Sequence, residues 1–144
     1  MNEGKNILLA EDDAQDAELI LSALADLNLA TRVEHVRDGA EALDYLFRRG
    51  KFAMRLKGNP DLVLLDLKMP KVNGIEVLHQ IKADKKLKPT PVVVLTSSRE
   101  PRGVSSCYDY GANAYVVKPL ALEDFTSAVK KTSSFWMLVN EPPP

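Results

Sequence analysis

The chain has a single cysteine, Cys107. No internal disulfide can form, which suits a reducing compartment such as the cytoplasm. It has only two histidines, His35 and His79, and neither belongs to a cluster with cysteine. That leaves no zinc site of the cysteine and histidine kind. An excess of one charge is also lacking. The formal net charge is −1, too small for a field that gathers nucleic acid or anionic membrane. No apolar run approaches the roughly 20 residues that span a bilayer. The opening MNEGKNILLAEDD has no basic stretch followed by a long apolar one, so no signal peptide is expected. No segment repeats. What is present is 144 residues, 45% hydrophobic and 27% charged. That composition fits one globular, cytoplasmic domain with a real core.

Two kinds of segment alternate along it. Short apolar runs rich in β-branched residues predict buried strands over 5–10, 32–36, 61–66, 91–96 and 113–118. Between them lie amphipathic stretches with helix signals. Asp13 is a natural N-cap for a helix whose inner face carries Ile20, Leu24 and Leu27. Asp38 with Glu41, and Asn73 with Glu76, have the spacing of capping boxes. They open helices that bury Leu43, Leu46 and Phe47, and Val77, Leu78 and Ile81. Val104, Cys107 and Tyr108 are expected on the inner face of a fourth, short helix. Phe125, Ala128 and Val129 are expected on that of a fifth, beginning near Leu122.

Five strands alternating with five helices imply an α/β fold, a doubly wound parallel sheet with helices on both faces. RVEHV alternates in polarity, which places it at an edge. In such a sheet, ligands bind outside the carboxyl ends of the strands. The residues there are Glu11 and Asp12 after the first strand, Asp66 after the third, Thr96 closing the fourth and Lys118 closing the fifth. Asp66 is the sharpest case, because PDLVLLD runs a buried strand straight into a carboxylate, which is costly unless something pairs with it. Three carboxylates on one rim repel, and a hard divalent cation, Mg2+ or Mn2+, relieves that repulsion. A cation and an ammonium beside Asp66 make a site for a tetrahedral dianion. Asp66 is then a carboxylate nucleophile that can form an aspartyl phosphate.

The motifs LLAEDD (8–13), LLDLKMPKVNG (64–74), VVVLTSS (92–98) and YVVKP (115–119), in that order, resemble the receiver domain of response regulators. The resemblance covers nearly the whole chain. It implies the strand order 2-1-3-4-5 of the flavodoxin-like (βα)5 fold, an order the handed-down family supplies and the sequence does not. It implies Asp66 as phosphoacceptor. It makes Glu11, Asp12, Asp66 and the backbone carbonyl of Lys68 the metal ligands. Thr96 and Lys118 become the groups that meet the phosphoryl oxygens, and Thr96 with Tyr115 the switch. A cis Lys118–Pro119 bond is implied as well. Glu11 stands where aspartate is commoner in the family, and its extra length is expected to place it on the metal through water. Lys68 and Ser98 flank the path of hydrolytic water.

The resemblance also implies partners: a histidine kinase as phosphoryl donor and, from the basic loop over 48–60 and the tail FWMLV (135–139), a bacteriophytochrome as that kinase. The receiver is assigned to 1–133 and a C-terminal extension to 134–144. The extension is expected to fold back on the last helix or to join a homodimer built on the fourth helix, fifth strand and fifth helix. No nucleic-acid or membrane partner is expected. Two other functions fit parts of this pattern. One is a phosphorylation-independent interaction module on the same fold. The other is a magnesium-dependent phosphatase, which lacks here both a cap and a second acid two residues after Asp66, where Lys68 stands. His35 and His79 are expected away from the rim. The lysines at 82, 85, 86 and 88 and the basic loop are read as solvated.

Overall fold

The computed structural model describes residues 5–27, 31–56, 58–97 and 100–142. Ser98, Lys57 and the prolines at 143 and 144 lie outside the described residues. One parallel sheet holds β1 (Lys5–Ala10), β2 (Thr31–Val36), β3 (Leu62–Leu65), β4 (Val92–Thr96) and β5 (Ala114–Val117). Their order is β2-β1-β3-β4-β5, as the resemblance implied. The helices are α1 (Ala14–Asp26), α2 (Gly39–Phe47), α3 (Gly74–Ala83), α4 (Pro101–Asp109) and α5 (Leu122–Ser134). A 3-10 turn at Gly50–Phe52 follows α2, and a π-helical turn at Phe135–Val139 extends α5.

Side chains of a strand point alternately to its two faces, and here both faces are apolar. Leu8, Val63, Leu65, Val92 and Val94 meet Leu43, Leu46, Val77, Leu78, Ile81 and Cys107 from α2, α3 and α4. Ile7, Leu9, Leu62, Leu64, Val93 and Leu95 meet Ile20, Leu24, Phe125 and Val129 from α1 and α5. Burying each such side chain stabilises the fold by about 1.5–3 kcal/mol. β2 pairs only with β1 and exposes Arg32 and Glu34, as an edge strand does.

The three helix caps form as the sequence implies. Asp13 accepts from the Asp16 N–H at 2.8 Å, Asp38 from the Glu41 N–H at 2.7 Å and Asn73 from the Glu76 N–H at 3.0 Å. The boxes do not close on their own caps. Glu41 accepts from the Arg37 N–H one residue earlier, and Glu76 turns to Gln80.

Three other expectations are corrected, and the solvated basic loop is corrected only at Arg48 and Arg55. Tyr108 is exposed: α4 lies over the sheet edge, so one narrow stripe, led by Cys107, is covered. Lys82 is half-buried, and its ammonium donates to the carbonyls of Lys88 and Thr90 and to the Asn113 side chain, which ties α3 to β4 and β5. The basic loop spends much of its charge internally. Arg49 pairs with Asp44 and Lys51 with Glu41. The Arg55 guanidinium lies 4.2 Å over the Tyr45 ring and donates to the carbonyls of Tyr45, Leu56 and Gly58. The Lys118–Pro119 bond is trans. A trans tertiary amide is favoured intrinsically, and the Lys118 ammonium reaches the rim without the cis form. As for the tail, it folds back: Met137 enters the core beside Trp136, and its carbonyl accepts from Lys5 Nζ at 2.7 Å.

Two glycines set the shape of the turn between β3 and α3. A Cβ on Gly74 would lie 2.3 Å from the Asp66 carbonyl oxygen, and one on Gly39 would lie 1.7 Å from that of Val72. Both obstacles are backbone and cannot rotate away. Gly74→Ala is therefore expected to cost about 1–3 kcal/mol, read as a lower denaturant midpoint. Gly103→Ala, where the added carbon meets open space, is expected to raise stability by about 1 kcal/mol.

Candidate functional site

Ladder hydrogen bonds continue past the strand ends and fix the backbone of the rim. The Glu11 N–H donates to Val36, the Asp66 N–H to Ala10 and the Lys118 N–H to Thr96, at 3.0, 3.0 and 2.7 Å. Each residue is thus held by the neighbouring strand. Glu11, Asp12 and Asp66 each bring a carboxylate oxygen within 4.8 Å of the other two. Glu11 and Asp66 are buried and Asp12 is exposed.

The ammonium of Lys118 reaches into this group. It lies 2.7 Å from Glu11 Oε1 and 3.6 Å from Asp66 Oδ2. It also lies 2.8 Å from Asp16 Oδ2. Asp16 is a site residue that no motif in the sequence singles out. The available signal was position: a residue in the first turn of a helix that starts at the rim. Glu11 is fully engaged, because its Oε2 accepts from the Asp13 N–H at 3.1 Å.

Thr96 is buried, and its hydroxyl has no hydrogen-bond partner among the described residues. An orphaned hydroxyl costs free energy, so this position suits a group that gains an acceptor when a ligand arrives. The Lys68 N–H lies 3.5 Å from Asp66 Oδ1, which puts that turn against the carboxylate. Tyr115 is half-buried against the core beneath α2, α3 and α4. His35, expected away from the rim, is beside it: Nε2 donates to the Glu11 carbonyl at 2.8 Å. The contact is with backbone, which side-chain type does not encode. His79 instead stacks against Tyr110, 5.0 Å between centroids.

Burial pushes the Glu11 carboxyl up to about 8, the Lys118 hydrogen bond opposes that rise, and Asp66 adds to it. Burial works to lower the Lys118 ammonium, but the hydrogen bonds to Asp16 and Glu11 and the charge of Asp66 carry it above its ordinary value. A sign follows for stability. Between pH 6 and 8 the unfolded chain has Glu11 ionised and the folded chain keeps it protonated. The folded state binds the extra proton, so stability falls as pH rises, by about 2 kcal/mol across that window. Urea melts of the metal-free protein at pH 6, 7 and 8 should show the slope. Glu11→Gln should flatten it.

An all-oxygen donor set of carboxylates fits a hard cation, so the cluster could hold a metal. A profile described as the response regulator receiver domain matches residues 7–130. The chain belongs to the response-regulator receiver family. Among solved structures it is similar to the phosphorylated cyanobacterial phytochrome response regulator RcpA, with a TM-score of 0.92 at 40% identity over 98% of this chain and 99% of that one. It is similar to the Mn2+-bound form of response regulator Rcp1, with a TM-score of 0.91 at 36% identity over 97% and 99% of the two chains. The curated Rcp1, from Synechocystis sp., is 37% identical over 94% of this chain and 91% of its own length. The bacteriophytochrome response regulator RtBRR is 53% identical, with a TM-score of 0.78 over 97% of this chain and 84% of that one. The protein is therefore a response-regulator receiver, a signalling component of the two-component type. Among the described residues, no helix is long and apolar enough to cross a membrane.

Proposed function

We propose that this receiver accepts a phosphoryl group on Asp66 and signals through the contacts that the phosphorylated form makes. The observation that carries the reading is the rim itself: three carboxylates within 4.8 Å, one buried ammonium among them and a buried hydroxyl on the next strand with no partner among the described residues.

Asp12 and Asp66, with Glu11 and the Lys68 carbonyl, would hold Mg2+ or Mn2+. The cation, when bound, neutralises charge on the phosphoryl oxygens. An Asp66 oxygen attacks phosphorus, a P–O bond forms, and the donor's P–N bond breaks. The imidazole leaves and takes up a proton. Lys118 meets one phosphoryl oxygen and the Thr96 hydroxyl donates to another. From that state water attacks phosphorus, the bond to the Asp66 oxygen breaks, and inorganic phosphate and the free carboxylate result. Movement of Thr96 makes room for Tyr115 to turn inward, which alters the face of α4 and β5.

The donor is a histidine kinase, in the cytoplasm, and the similarity to phytochrome response regulators favours a phytochrome-type kinase. Its histidine must approach Asp66, so it covers the rim, where Leu120 stands fully exposed two residues from Lys118. The receiver proper is 1–133. The extension over 134–144, with Leu122, Phe135, Leu138 and Val139 exposed around β5 and α5, supports a homodimer on the α4, β5 and α5 face.

The test is intact mass against time with a small-molecule phosphodonor. One phosphate should add in the presence of Mg2+ and none after chelation. Equal labelling without metal would exclude the site described.

A further inference from the structure

Lys118 is shared among three carboxylates, and the sharing is uneven. Its ammonium hydrogen-bonds Glu11 and Asp16, at 2.7 and 2.8 Å, and stands 3.6 Å from Asp66, beyond bonding distance. Asp16 is not one of the three residues whose oxygens converge within 4.8 Å. It comes from the first turn of α1 and is about a third exposed, at 31%. Among the described residues its carboxylate has no other hydrogen bond or ion pair, while its N–H serves the Asp13 cap. The side chain can be changed without removing that cap.

We propose that Asp16 is a positioning residue that holds the Lys118 ammonium on the α1 side of the site, away from Asp66. The inference rests on the phosphoacceptor reading and deepens it. Two consequences have opposite signs. In the resting protein, drawing the ammonium toward α1 leaves the Asp66 carboxylate freer for a cation. In the phosphorylated protein, Asp16 competes with the phosphoryl oxygens for the same ammonium, so it loosens the lysine's hold on the acyl phosphate. Asp16 thereby favours loading with metal and limits how firmly the phosphoryl group is held. The competition between a carboxylate and a phosphoryl oxygen for one ammonium is local, so its size depends on Lys118 and not on net charge.

The probes are Mn2+, titrated by calorimetry, and beryllofluoride at saturating Mn2+. Asp16→Asn is expected to weaken Mn2+ binding about fivefold and to tighten beryllofluoride about fivefold, the scale of one partly exposed ion pair. Asp16→Glu, which keeps the charge, should stay within about twofold of the unaltered protein on both. Glu18→Gln, an exposed charge change on the same helix, should move neither. In a Lys118→Met background, Asp16→Asn should leave Mn2+ affinity where it was. The proposal is overturned if Asp16→Asn changes neither affinity, if Glu18→Gln shifts them equally, or if the shift persists without Lys118. If the unaltered protein binds no beryllofluoride in the presence of Mn2+, the phosphoacceptor reading falls and this inference with it. Binding by the unaltered protein with no response to Asp16→Asn removes the inference alone.

Discussion

Asp66→Asn is expected to abolish labelling by a small-molecule phosphodonor. Intact mass should show no added phosphate where the unaltered protein gains one. The amide lacks the anionic oxygen that attacks phosphorus, and it removes one of the three carboxylates that converge on the rim. Mn2+ affinity should fall with it. The fold should survive, because the Asp66 N–H and its bond to Ala10 are unchanged and the amide is nearly the same size. A thermal melt at or above the unaltered value, together with complete loss of labelling, is the expected pair of results. Residual labelling at an unaltered rate would place the acceptor elsewhere. Unchanged binding to a partner in this variant would favour the phosphorylation-independent module.

Lys118→Ala should have the second largest effect, and its three readouts diverge. Asp66, 7% exposed, loses its counter-charge, and Glu11, 1% exposed, loses its hydrogen-bond donor. Removing one partner of a buried pair costs about 3–5 kcal/mol, so the metal-free protein should melt at markedly lower denaturant. Mn2+ should bind more tightly, since the ammonium no longer competes for the same oxygens, and added metal should restore much of the stability. Phosphorylation should nevertheless slow about 100- to 1000-fold, the usual consequence of losing one donor aimed at developing charge. A variant with lost stability and an unchanged rate would reduce Lys118 to a structural counter-ion.

Much of this was legible in the sequence, and the reason is local. Strands buried on both faces need near-continuous β-branched and leucine runs, so VVVL and LVLL announce β4 and β3 directly. A polar residue ending such a run is conspicuous, and Asp66, Thr96 and Lys118 each end one. What was hidden depends on contacts that residue type does not encode. Asp16 lies 102 positions from Lys118, and its spacing from Asp13 is explained by a cap alone. His35 meets a carbonyl, and any residue has one. Lys82 is half-buried because two carbonyls from the turn before β4 and the Asn113 side chain just before β5 converge on it. Tyr108 failed for a geometric reason: apolar spacing fixes a helix stripe but not how wide a surface covers it.

The bond from Lys5 to the Met137 carbonyl also bears on how the chain is made. Synthesis delivers β1 first, yet β1 lies between β2 and β3, and its opening residue finds its acceptor only after 132 more positions have been added. Met137 fills the core above β1 and β3 from the same late segment. A nascent chain halted at α5 would hold a sheet with one corner still open to water. Closure over so long a separation is slow relative to local helix formation, so this corner of the sheet should be among the last parts to be sealed.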